Sequence, residues 1–368
     1  MTTMNHDISG ASGVEAGADE ETATPILDVR GLTVHFPIKK GFLSRTVGHV
    51  RAVDGIDLSV RAGETLGIVG ESGCGKTTLG RSVARVIEPT AGQIVYRDTA
   101  GRNVDLAELN ARRLRPYQRQ IRVVFQDPFS SLNPRMTLRQ IVGEPLRTSG
   151  TVTGSELDDR VASMLERVGL SPKYMNRYPH AFSGGERQRV NIARALVLGP
   201  RVVIADEPVS ALDVSVRAQI LNLLRDLQEE LKLTYLFVSH DLSVVENICD
   251  RVAVMYLGKI VEVAGTADLY AQPRHPYTEA LLSAVPRPDP RLRGAGRRIR
   301  LADDLPDPAN PPPGCYFHTR CPYAVPGVCD VAERAPLLTS SGSGHRVAAC
   351  VRSDELGLAG VGSEVGGP

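Results

Sequence analysis

One stretch decides the fold of this chain: Thr65-Leu66-Gly67-Ile68-Val69-Gly70-Glu71-Ser72-Gly73-Cys74-Gly75-Lys76-Thr77. It begins with a short, continuous apolar run of the kind that builds a buried strand, and a helix is expected from Thr77 onward. Between them, glycines let successive backbone N–H groups face inward without interference from a Cβ atom, which makes a nest for phosphate oxygens. The order strand, glycine loop, helix is the context that a phosphate-binding loop requires, so the sequence predicts one here.

The end of this loop supplies two side chains with predicted roles. Lys76 is expected to reach the β- and γ-phosphates of a nucleotide, and the Thr77 hydroxyl is expected to hold Mg²⁺. The positive end of the following helix adds to the attraction for phosphate. The residues predicted to contact the nucleotide here are Gly70, Glu71, Ser72, Gly73, Cys74, Gly75, Lys76, Thr77 and Thr78.

Cys74 carries a separate expectation. A thiol at a helix N-terminus and beside Lys76 is expected to have a lowered pKa. Alkylation of Cys74 is therefore predicted to block nucleotide binding. The alternative is that any small residue serves at this position.

A second apolar strand, Val202 to Ala205, ends in two acids, Asp206 and Glu207. Adjacent carboxylates at the end of a buried strand are expensive to desolvate unless they are used, although a helix N-cap is the simpler role for Asp206. We assign Asp206 to the Mg²⁺ shell and Glu207 to the attacking water, as general base or polariser. Hydrolysis of a phosphoanhydride needs positioning and charge stabilisation more than covalent chemistry, and these acids suit that task.

Two further polar residues follow predicted strands. Gln126 comes after the apolar run Ile121 to Phe125, and His240 comes after Tyr235 to Val238. Both side chains are expected at the carboxyl edge of the sheet, where the two acids also lie. Taken alone, each is more often a satisfied polar residue in a loop.

The segment Ser183-Gly184-Gly185-Glu186 precedes a helix predicted from about Glu186 to Leu198. Its N–H groups and the positive helix end form a second anion site. The alternative is an ordinary glycine-rich turn with a helix cap. Its position after the phosphate loop and shortly before the two acids disfavours that alternative. Because the helical segment over about 127–182 would hold this site away from Lys76 of the same domain, we predict that it serves the nucleotide of an opposite subunit.

The rest of the chain alternates strands and helices. Residues 26–60 alternate apolar and polar side chains as strands do, and helices are predicted over 155–168 and 214–231. Strands alternating with helices imply a mostly parallel sheet that is covered on both faces.

Composition bounds the class of protein. The chain has 368 residues, 42% of them hydrophobic, and a formal net charge of +1, which suits two or three domains and gives no reason to expect nucleic acid as a partner. The arginine-rich stretch 287–300 lacks interleaved aromatic residues, so a solvated linker is favoured over a lipid or nucleic-acid patch. No apolar run approaches the roughly 20 residues that span a bilayer, and residues 1–25 resemble no signal peptide. We expect a disordered N-terminus, a cytoplasmic protein and cysteines that are reduced or metal-bound.

Four of the six cysteines cluster near the C-terminus: Cys315, Cys321, Cys329 and Cys350. In a cytoplasmic chain this clustering predicts a metal site rather than disulfides. The spacing lacks the paired Cys-x2-Cys of common zinc sites, which favours a [4Fe–4S] cluster over zinc. Four unrelated cysteines remain an alternative, as do His318 and His345 as ligands. Cys249 is predicted to be a small core residue.

The order of these motifs resembles that of the nucleotide-binding subunits of ABC transporters, over about Ile26 to Val263. The resemblance implies an α/β fold with a P-loop NTPase core and mostly parallel sheet, an antiparallel β subdomain, a helical insert over about 127–182 and a small Cys-rich C-terminal extension. It also implies ATP and Mg²⁺ as ligands, and a head-to-tail dimer that encloses two ATP molecules.

The same resemblance assigns individual residues. It makes Gln126 a sensor of Mg²⁺ and of the membrane partner, and His240 a sensor of the γ-phosphate. Ser183–Glu186 is similar to the family's signature sequence, although Phe182 stands where many members have leucine. Ser210-Ala211-Leu212-Asp213 resembles the loop that links the two active sites, which places Asp213 near the nucleotide.

The adenine ring is expected to stack on an aromatic residue near the first strands. Phe36 is the candidate, with Phe42 a poorer one. Phe36 also continues the alternation of its strand and fits a core position equally well.

The C-terminal segment carries a second resemblance. Arg274-His275-Pro276-Tyr277-Thr278, through Leu281-Leu282 to Val285-Pro286, and the cysteine segment after it are similar to the extension of oligopeptide/dipeptide importer ATPases. Phe129-Ser130-Ser131-Leu132-Asn133-Pro134-Arg135 also looks like that subfamily. Some of its members carry an iron–sulfur cluster on such cysteines. The resemblance implies a second, non-identical ATPase subunit, two permease subunits and an extracellular or periplasmic solute-binding protein as partners.

The sequence thus predicts an ATPase at the cytoplasmic face of the cell membrane that drives uptake of oligopeptides or dipeptides. Its predicted parts are a disordered N-terminus (1–25), an ABC ATPase domain (26–265), the cysteine-bearing extension (266–352) and a flexible tail (353–368). A nearer alternative is an importer of nickel or another small solute, and the cysteine tail is alternatively a redox sensor. A non-transport ABC ATPase acting on ribosomes or DNA is disfavoured, because such proteins usually carry two nucleotide domains or a long coiled coil.

Overall fold

The computed structural model of the protein describes residues 24–41, 44–127, 131–150, 152, 154–285, 298–301, 305–334, 336–340 and 346–361. The segment predicted to be disordered lies outside the described residues except for Thr24 and Pro25. Outside them also lie the end of the predicted tail, 362–368, and most of the arginine-rich stretch 287–300. The same holds for Phe42, Phe129, Ser130, Pro286 and His345.

The first sheet is antiparallel and has the strand order β2-β1-β4-β5. Buried side chains recur along β1 as the alternation predicts, with Leu27 and Val29 inside and then, after a bulge, Leu32 and Val34. The strands are β1 (Leu27–Lys40), β2 (Arg45–Val60), β4 (Ala91–Arg97) and β5 (Asn103–Asp105).

The second sheet contains the predicted parallel core. Its strands are β3 (Thr65–Val69), β6 (Ile121–Val124), β7 (Val202–Asp206), β8 (Thr234–Ser239), β9 (Arg251–Tyr256), β10 (Lys259–Gly265), β11 (Thr339–Ser340) and β12 (Val347–Ala348). Their order is β11-β12-β10-β9-β3-β8-β7-β6, and β9, β3, β8, β7 and β6 run parallel. Every residue of β3, β7 and β8 is buried, which accounts for their continuous apolar sequences.

Helices cover both faces of this sheet, as predicted. On one face, α1 (Lys76–Val83) places Gly80 so close that a Cβ there would lie 3.0 Å from Ile204. On the other face, α7 (Leu242–Ile248) places Val245 at 3.1 Å from the position of a Cβ on Gly67. The other helices are α2 (Ala111–Gln118), α3 (Leu138–Ser149), α4 (Ser155–Arg167), α5 (Gly184–Leu196), α6 (Val214–Leu231), α8 (Thr266–Ala271) and α9 (Pro276–Ser283).

The region predicted as a helical insert contains α3 and α4, which pack against α5. Its core is built from side chains that recur at helical spacing, such as Ile141, Leu157, Val161 and Val190. The helix predicted from Glu186 begins instead at Gly184, because a capping box between Ser183 and Glu186 starts it earlier.

The C-terminal segment is joined to the core by both strands and side chains. β12 pairs with β10, with Ala348 opposite Glu262. The buried Glu262 carboxylate accepts hydrogen bonds from the N–H groups of Arg274, at 2.8 Å, and His275, at 2.9 Å. Tyr256 of β9 packs edge-on against Phe317, with 5.2 Å between ring centroids. The C-terminal segment therefore packs against β9, the strand that contacts the phosphate loop at Gly70.

Candidate nucleotide site

The glycines of the phosphate loop are fixed by close backbone contacts. Gly75 has φ +108°, and a Cβ there would lie 2.0 Å from the carbonyl oxygen of Ala52 in β2. Gly70 has φ +154°, and a Cβ there would lie 2.1 Å from the carbonyl oxygen of Met255 in β9. Both sheets thus press on the loop, and only glycine fits at these two positions.

Lys76 lies inside the cradle that the loop forms. Its ammonium group donates to the carbonyl oxygens of Gly70 and Glu71, at 2.8 Å each, and its side chain is buried. A desolvated cation enclosed by backbone dipoles is suited to the phosphate groups of a nucleotide.

The expectation of a lowered pKa for Cys74 is wrong. The residue is 1% exposed and belongs to the apolar core beneath the loop. Burial raises the pKa of this thiol, and the nearby ammonium of Lys76 opposes that effect without overcoming it. The physical reason is that the thiol is enclosed by the core beneath the loop, where the cost of desolvation outweighs the contact of its sulfur with the Lys76 ammonium group at 3.9 Å.

Thr77 and Asp206, both predicted to hold Mg²⁺, are in contact. The Thr77 hydroxyl donates to Asp206 Oδ1 at 2.8 Å. The guanidinium of Arg81 donates to Asp206 Oδ2 at 3.2 Å, so it balances the charge of this fully buried carboxylate. Sequence reasoning missed Arg81, although its place one turn after Thr77 on the same helix face was a usable signal.

The three predicted catalytic side chains meet at the edge of the sheet. Gln126 Nε2 donates to Glu207 Oε2 at 2.9 Å, and His240 Nδ1 lies 3.0 Å from Glu207 Oε1. They follow β6, β7 and β8, which are adjacent parallel strands. The three side chains therefore lie at one edge of the sheet, as predicted. Glu207 also has φ +47°, a left-handed conformation that is costly for a residue with a Cβ.

The signature segment starts α5 with its polar groups at the surface. Glu186 Oε2 accepts from the N–H and the hydroxyl of Ser183, at 2.9 Å each. A Cβ on Gly185 would lie 2.4 Å from Val216 of α6, so glycine is required where the two helices cross. Both the helix cap and an exposed N-terminus are present, and neither excludes the predicted anion site.

Asp213 and Phe36 are accessible from outside the core. Asp213 caps α6 by accepting from the N–H of Val216 at 3.0 Å, a hydrogen bond that lowers the pKa of its carboxyl group. The Phe36 side chain is 41% exposed on β1, so the alternative of a core position is wrong. Its contact with adenine stays a prediction.

The four clustered cysteines lie close together. Cys315, Cys321, Cys329 and Cys350 line one small cavity. Burial, reinforced by neighbouring cysteines, raises the pKa of Cys315 to about 11 and that of Cys321 to about 12. Within the described residues, no three or more His, Cys, Asp or Glu side chains are arranged closely enough to hold a metal ion. Cys249 is buried beside Val245, as expected of a core residue.

A cationic cavity opens between the parallel sheet and the helical insert, beside Gln126. It has a volume of about 690 Å³. Burial lowers the pKa of Arg122 and of Arg194 in its wall, and Arg122 Nε has no hydrogen-bond partner in the part of the chain that the structure describes. The cationic and acidic side chains that line it are Arg81, Arg115, Arg119, Arg122, Arg194, Asp127 and Glu144.

The fold and this site define an ATP-binding cassette. Residues 53–210 match the family described as "ABC transporter", and residues 261–329 match the one described as "Oligopeptide/dipeptide transporter, C-terminal region". The chain belongs to the ATP-binding proteins of ABC transporters, in the oligopeptide/dipeptide group, and it is an ATPase. No helix among the described residues is both long and apolar enough to cross a membrane.

Two curated relatives show how far the similarity extends. The oligopeptide transport ATP-binding protein AppF of Bacillus subtilis is 53% identical over 332 residues, which cover 90% of this chain and 98% of AppF. A putative peptide import ATP-binding protein of Brucella ovis is 52% identical over 333 residues, covering 90% and 99% of the two chains.

Solved structures confirm the cassette fold. The dimeric, post-hydrolysis ATP-binding cassette MJ0796 bound to ADP and Pi matches with a TM-score of 0.57 and 28% identity, over 65% of this chain and 98% of that one. The cbiO1 protein of Clostridium perfringens, part of the cbiONQ transporter complex, matches with a TM-score of 0.56 and 28% identity, over 67% and 90%.

Proposed function

We propose that this chain is the ATP-hydrolysing subunit of an importer that takes up oligopeptides or dipeptides through partner permeases. The observation that carries the proposal is the 53% identity, across 90% of the chain, to a protein named for oligopeptide transport. The match of residues 261–329 to the oligopeptide/dipeptide C-terminal region supports the same cargo class. It also supports dividing the chain into an ATPase domain (26–265) and an extension (266–352), with a short tail (353–368).

The site residues have the following proposed roles in hydrolysis. Glu207 orients the attacking water and accepts its proton, while Gln126 and His240 hold the carboxylate by the two contacts described above. Lys76 neutralises the phosphates of ATP, together with the N–H groups of the loop. This division of labour places one base and several positive groups around the γ-phosphate, which is what a loose phosphoryl-transfer transition state requires.

Mg²⁺ fits the pair formed by Thr77 and Asp206. A hydroxyl and a buried carboxylate, 2.8 Å apart, are the hard oxygen donors that this ion prefers, and the Gln126 side chain is the third proposed ligand. When bound, the ion would neutralise charge on the β- and γ-phosphates. Arg81 holds the second oxygen of the same carboxylate and so orients it.

We propose a head-to-tail dimer in which Ser183 to Glu186 of one subunit faces the ATP of the other. Ser183 at the start of α5 and Asp213 at the start of α6 are both exposed, which suits an interface that forms with ATP. The similar cassette MJ0796 is described as dimeric. The partner proposed here is a second, non-identical ATPase subunit.

The cationic cavity beside Gln126 is the proposed docking site for the permeases. Its wall carries five arginines, so it favours a permease segment with acidic side chains. Gln126 borders both this cavity and Glu207, which gives the membrane partner a direct route to the hydrolytic carboxylate. Such docking would hold the chain at the cytoplasmic face of the cell membrane, with a solute-binding protein on the other side.

We propose that Cys315, Cys321, Cys329 and Cys350 are the ligands of a [4Fe–4S] cluster. The four cysteines supply the donor type that such clusters use, thiolate sulfur, and they line one cavity, although their side chains must move closer together to hold the cluster. Burial raises the pKa values of Cys315 and Cys321, so these two thiols are protonated at neutral pH and would release their protons on binding a cluster. Iron content of anaerobically purified protein, lost in Cys321→Ser, tests this part separately.

The experiment for the transport function is purification of the tagged chain from native membranes. We expect two permeases, a second ATPase subunit and a solute-binding protein to co-purify, and peptides to stimulate ATP hydrolysis by the complex. Stimulation by nickel instead of peptides would reassign the cargo. Co-purification of ribosomes or DNA without permeases would overturn the proposal.

A further inference from the structure

We propose that Arg320 and Tyr277, both from the C-terminal extension, are positioning residues for the phosphate loop. They hold Glu71, the second residue of the loop, and through it set the affinity for ATP. This inference rests on the proposed role of the loop in binding ATP, and it assigns to the extension an effect on the nucleotide site itself.

The first contact is an ion pair between Arg320 and the side chain of Glu71. Arg320 Nη1 donates to Glu71 Oε2 at 3.0 Å. The Arg320 side chain is only 7% exposed, so the pair is screened little by solvent. The same guanidinium lies 5.9 Å from the ring centroid of Tyr256, which restricts its position further.

The second contact holds the backbone of the same residue. The Glu71 N–H donates to the Tyr277 hydroxyl at 2.8 Å. Tyr277 is fully buried, with its ring centroid 4.7 Å from that of Tyr256 and 5.3 Å from that of Phe317. The hydroxyl therefore has little freedom to move, and it fixes the position of the loop backbone at Glu71.

Glu71 passes this restraint on to Lys76. Its carbonyl oxygen is one of the two that accept from the Lys76 ammonium group, at 2.8 Å. A loop released at Glu71 would lose the preorganised position of both its N–H groups and its lysine. Because a preorganised site binds at lower entropic cost, the expected result of release is weaker ATP binding with little change in the chemical step.

The experiment measures the Kd of ATP and the kcat and KM of ATP hydrolysis for Arg320→Gln in the full-length protein. Hydrogen bonds to charged groups are worth enough that we expect Kd and KM to rise about tenfold, with kcat changed less than about twofold. Arg320→Lys should restore part of the affinity, because lysine keeps the positive charge but lacks the planar, multiply donating guanidinium group. Tyr277→Phe, which removes one oxygen, should also weaken ATP binding.

A double-mutant cycle separates positioning from general damage. Glu71→Gln combined with Arg320→Gln should be no weaker in ATP binding than the single Arg320→Gln. The matched control is Arg346→Gln, since Arg346 also belongs to the extension but donates to the backbone carbonyls of Asp268 and Gln272. Equal iron and thiol content in all variants excludes an indirect effect through the adjacent Cys321.

Several outcomes would overturn the inference. One is unchanged ATP affinity in Arg320→Gln; another is additive losses in the cycle, or equal losses in Arg346→Gln. If the unmodified protein itself failed to bind ATP, the proposed nucleotide site would fail instead, so the two failures are distinguishable.

Discussion

Two neighbouring side chains hold the carboxylate of Glu207 in place. Gln126 and His240 contact one oxygen each, and the backbone of Glu207 has a positive φ of +47°. Left-handed conformations of residues with a Cβ cost on the order of 1–3 kcal/mol and persist where the surroundings enforce them. The N–H of Glu207 is tied to the carbonyl of Val238 at 3.0 Å, which supplies such enforcement.

Replacing Glu207 by Gln tests its role as the base. The amide keeps the size of the side chain and removes its ability to accept a proton, so turnover should fall about 100-fold or more while ATP binding persists. Steady-state hydrolysis and equilibrium binding of ATP give the two readouts. Glu229→Gln, an exposed acid on α6, is the control and should hydrolyse ATP normally. Hydrolysis at the original rate in Glu207→Gln would refute the assignment.

Cys74 gives a prediction about pH. Its ordinary pKa is 9.0 and burial raises it, so less than about 1% is thiolate at pH 7. We expect iodoacetamide to label Cys74 slowly in the folded protein at pH 7, and faster only as the pH rises above 9. Mass spectrometry of labelled peptides, with urea-unfolded protein as reference, measures this. Equal labelling of folded and unfolded protein at pH 7 would show that the thiol is accessible and activated.

At the scale of elements, the start of α5 combines a structural and a functional requirement. Gly185 lets α5 cross α6 at Val216, while Ser183 and Glu186 close the capping box on the exposed side. The packing of α5 against α6 is enough to explain why residue 185 is a glycine. The exposed serine, Ser183, is the residue whose proposed role depends on an opposite subunit.

Ser183→Arg tests whether that end of α5 acts across an interface. A bulky side chain at the exposed N-terminus should block approach to the opposite ATP, so turnover should fall at least about tenfold. The Kd of ATP for the isolated chain should stay the same, because its own loop is untouched. Ser155→Arg, at the exposed start of α4, is the matched control. A weakened Kd in the isolated Ser183→Arg chain would place the segment at its own nucleotide instead.

At the scale of the whole molecule, the sequence predicts the features that follow from the order of motifs, strands and helices along the chain. Periodicity and motif order give the parallel sheet, and the ends of β6, β7 and β8 bring Gln126, Glu207 and His240 together. The wrong expectation for Cys74 arose because a position in a motif does not tell how deeply its side chain is buried. Nothing local marks Arg320 as a partner of Glu71, since that contact depends on how the extension packs behind β9.

The same packing suggests why the extension matters to the whole protein. It shares the second sheet through β12, and its aromatic residues lie between the cysteine cavity and the phosphate loop. The described residues thus form one continuous body from the cationic cavity to the cysteines. A structural change at the cysteine cavity could therefore be transmitted to the phosphate loop through the packed aromatic side chains between them.

Peptide uptake by a reconstituted importer tests the central claim most directly. Proteoliposomes would contain this chain with the permeases and ATPase partner that co-purify with it, ATP inside, and solute-binding protein with labelled oligopeptide outside. We predict ATP-dependent accumulation of peptide with the unmodified chain, and none with Glu207→Gln although that variant still binds ATP. Equal accumulation with Glu207→Gln, or uptake of nickel and of no peptide, would contradict the account.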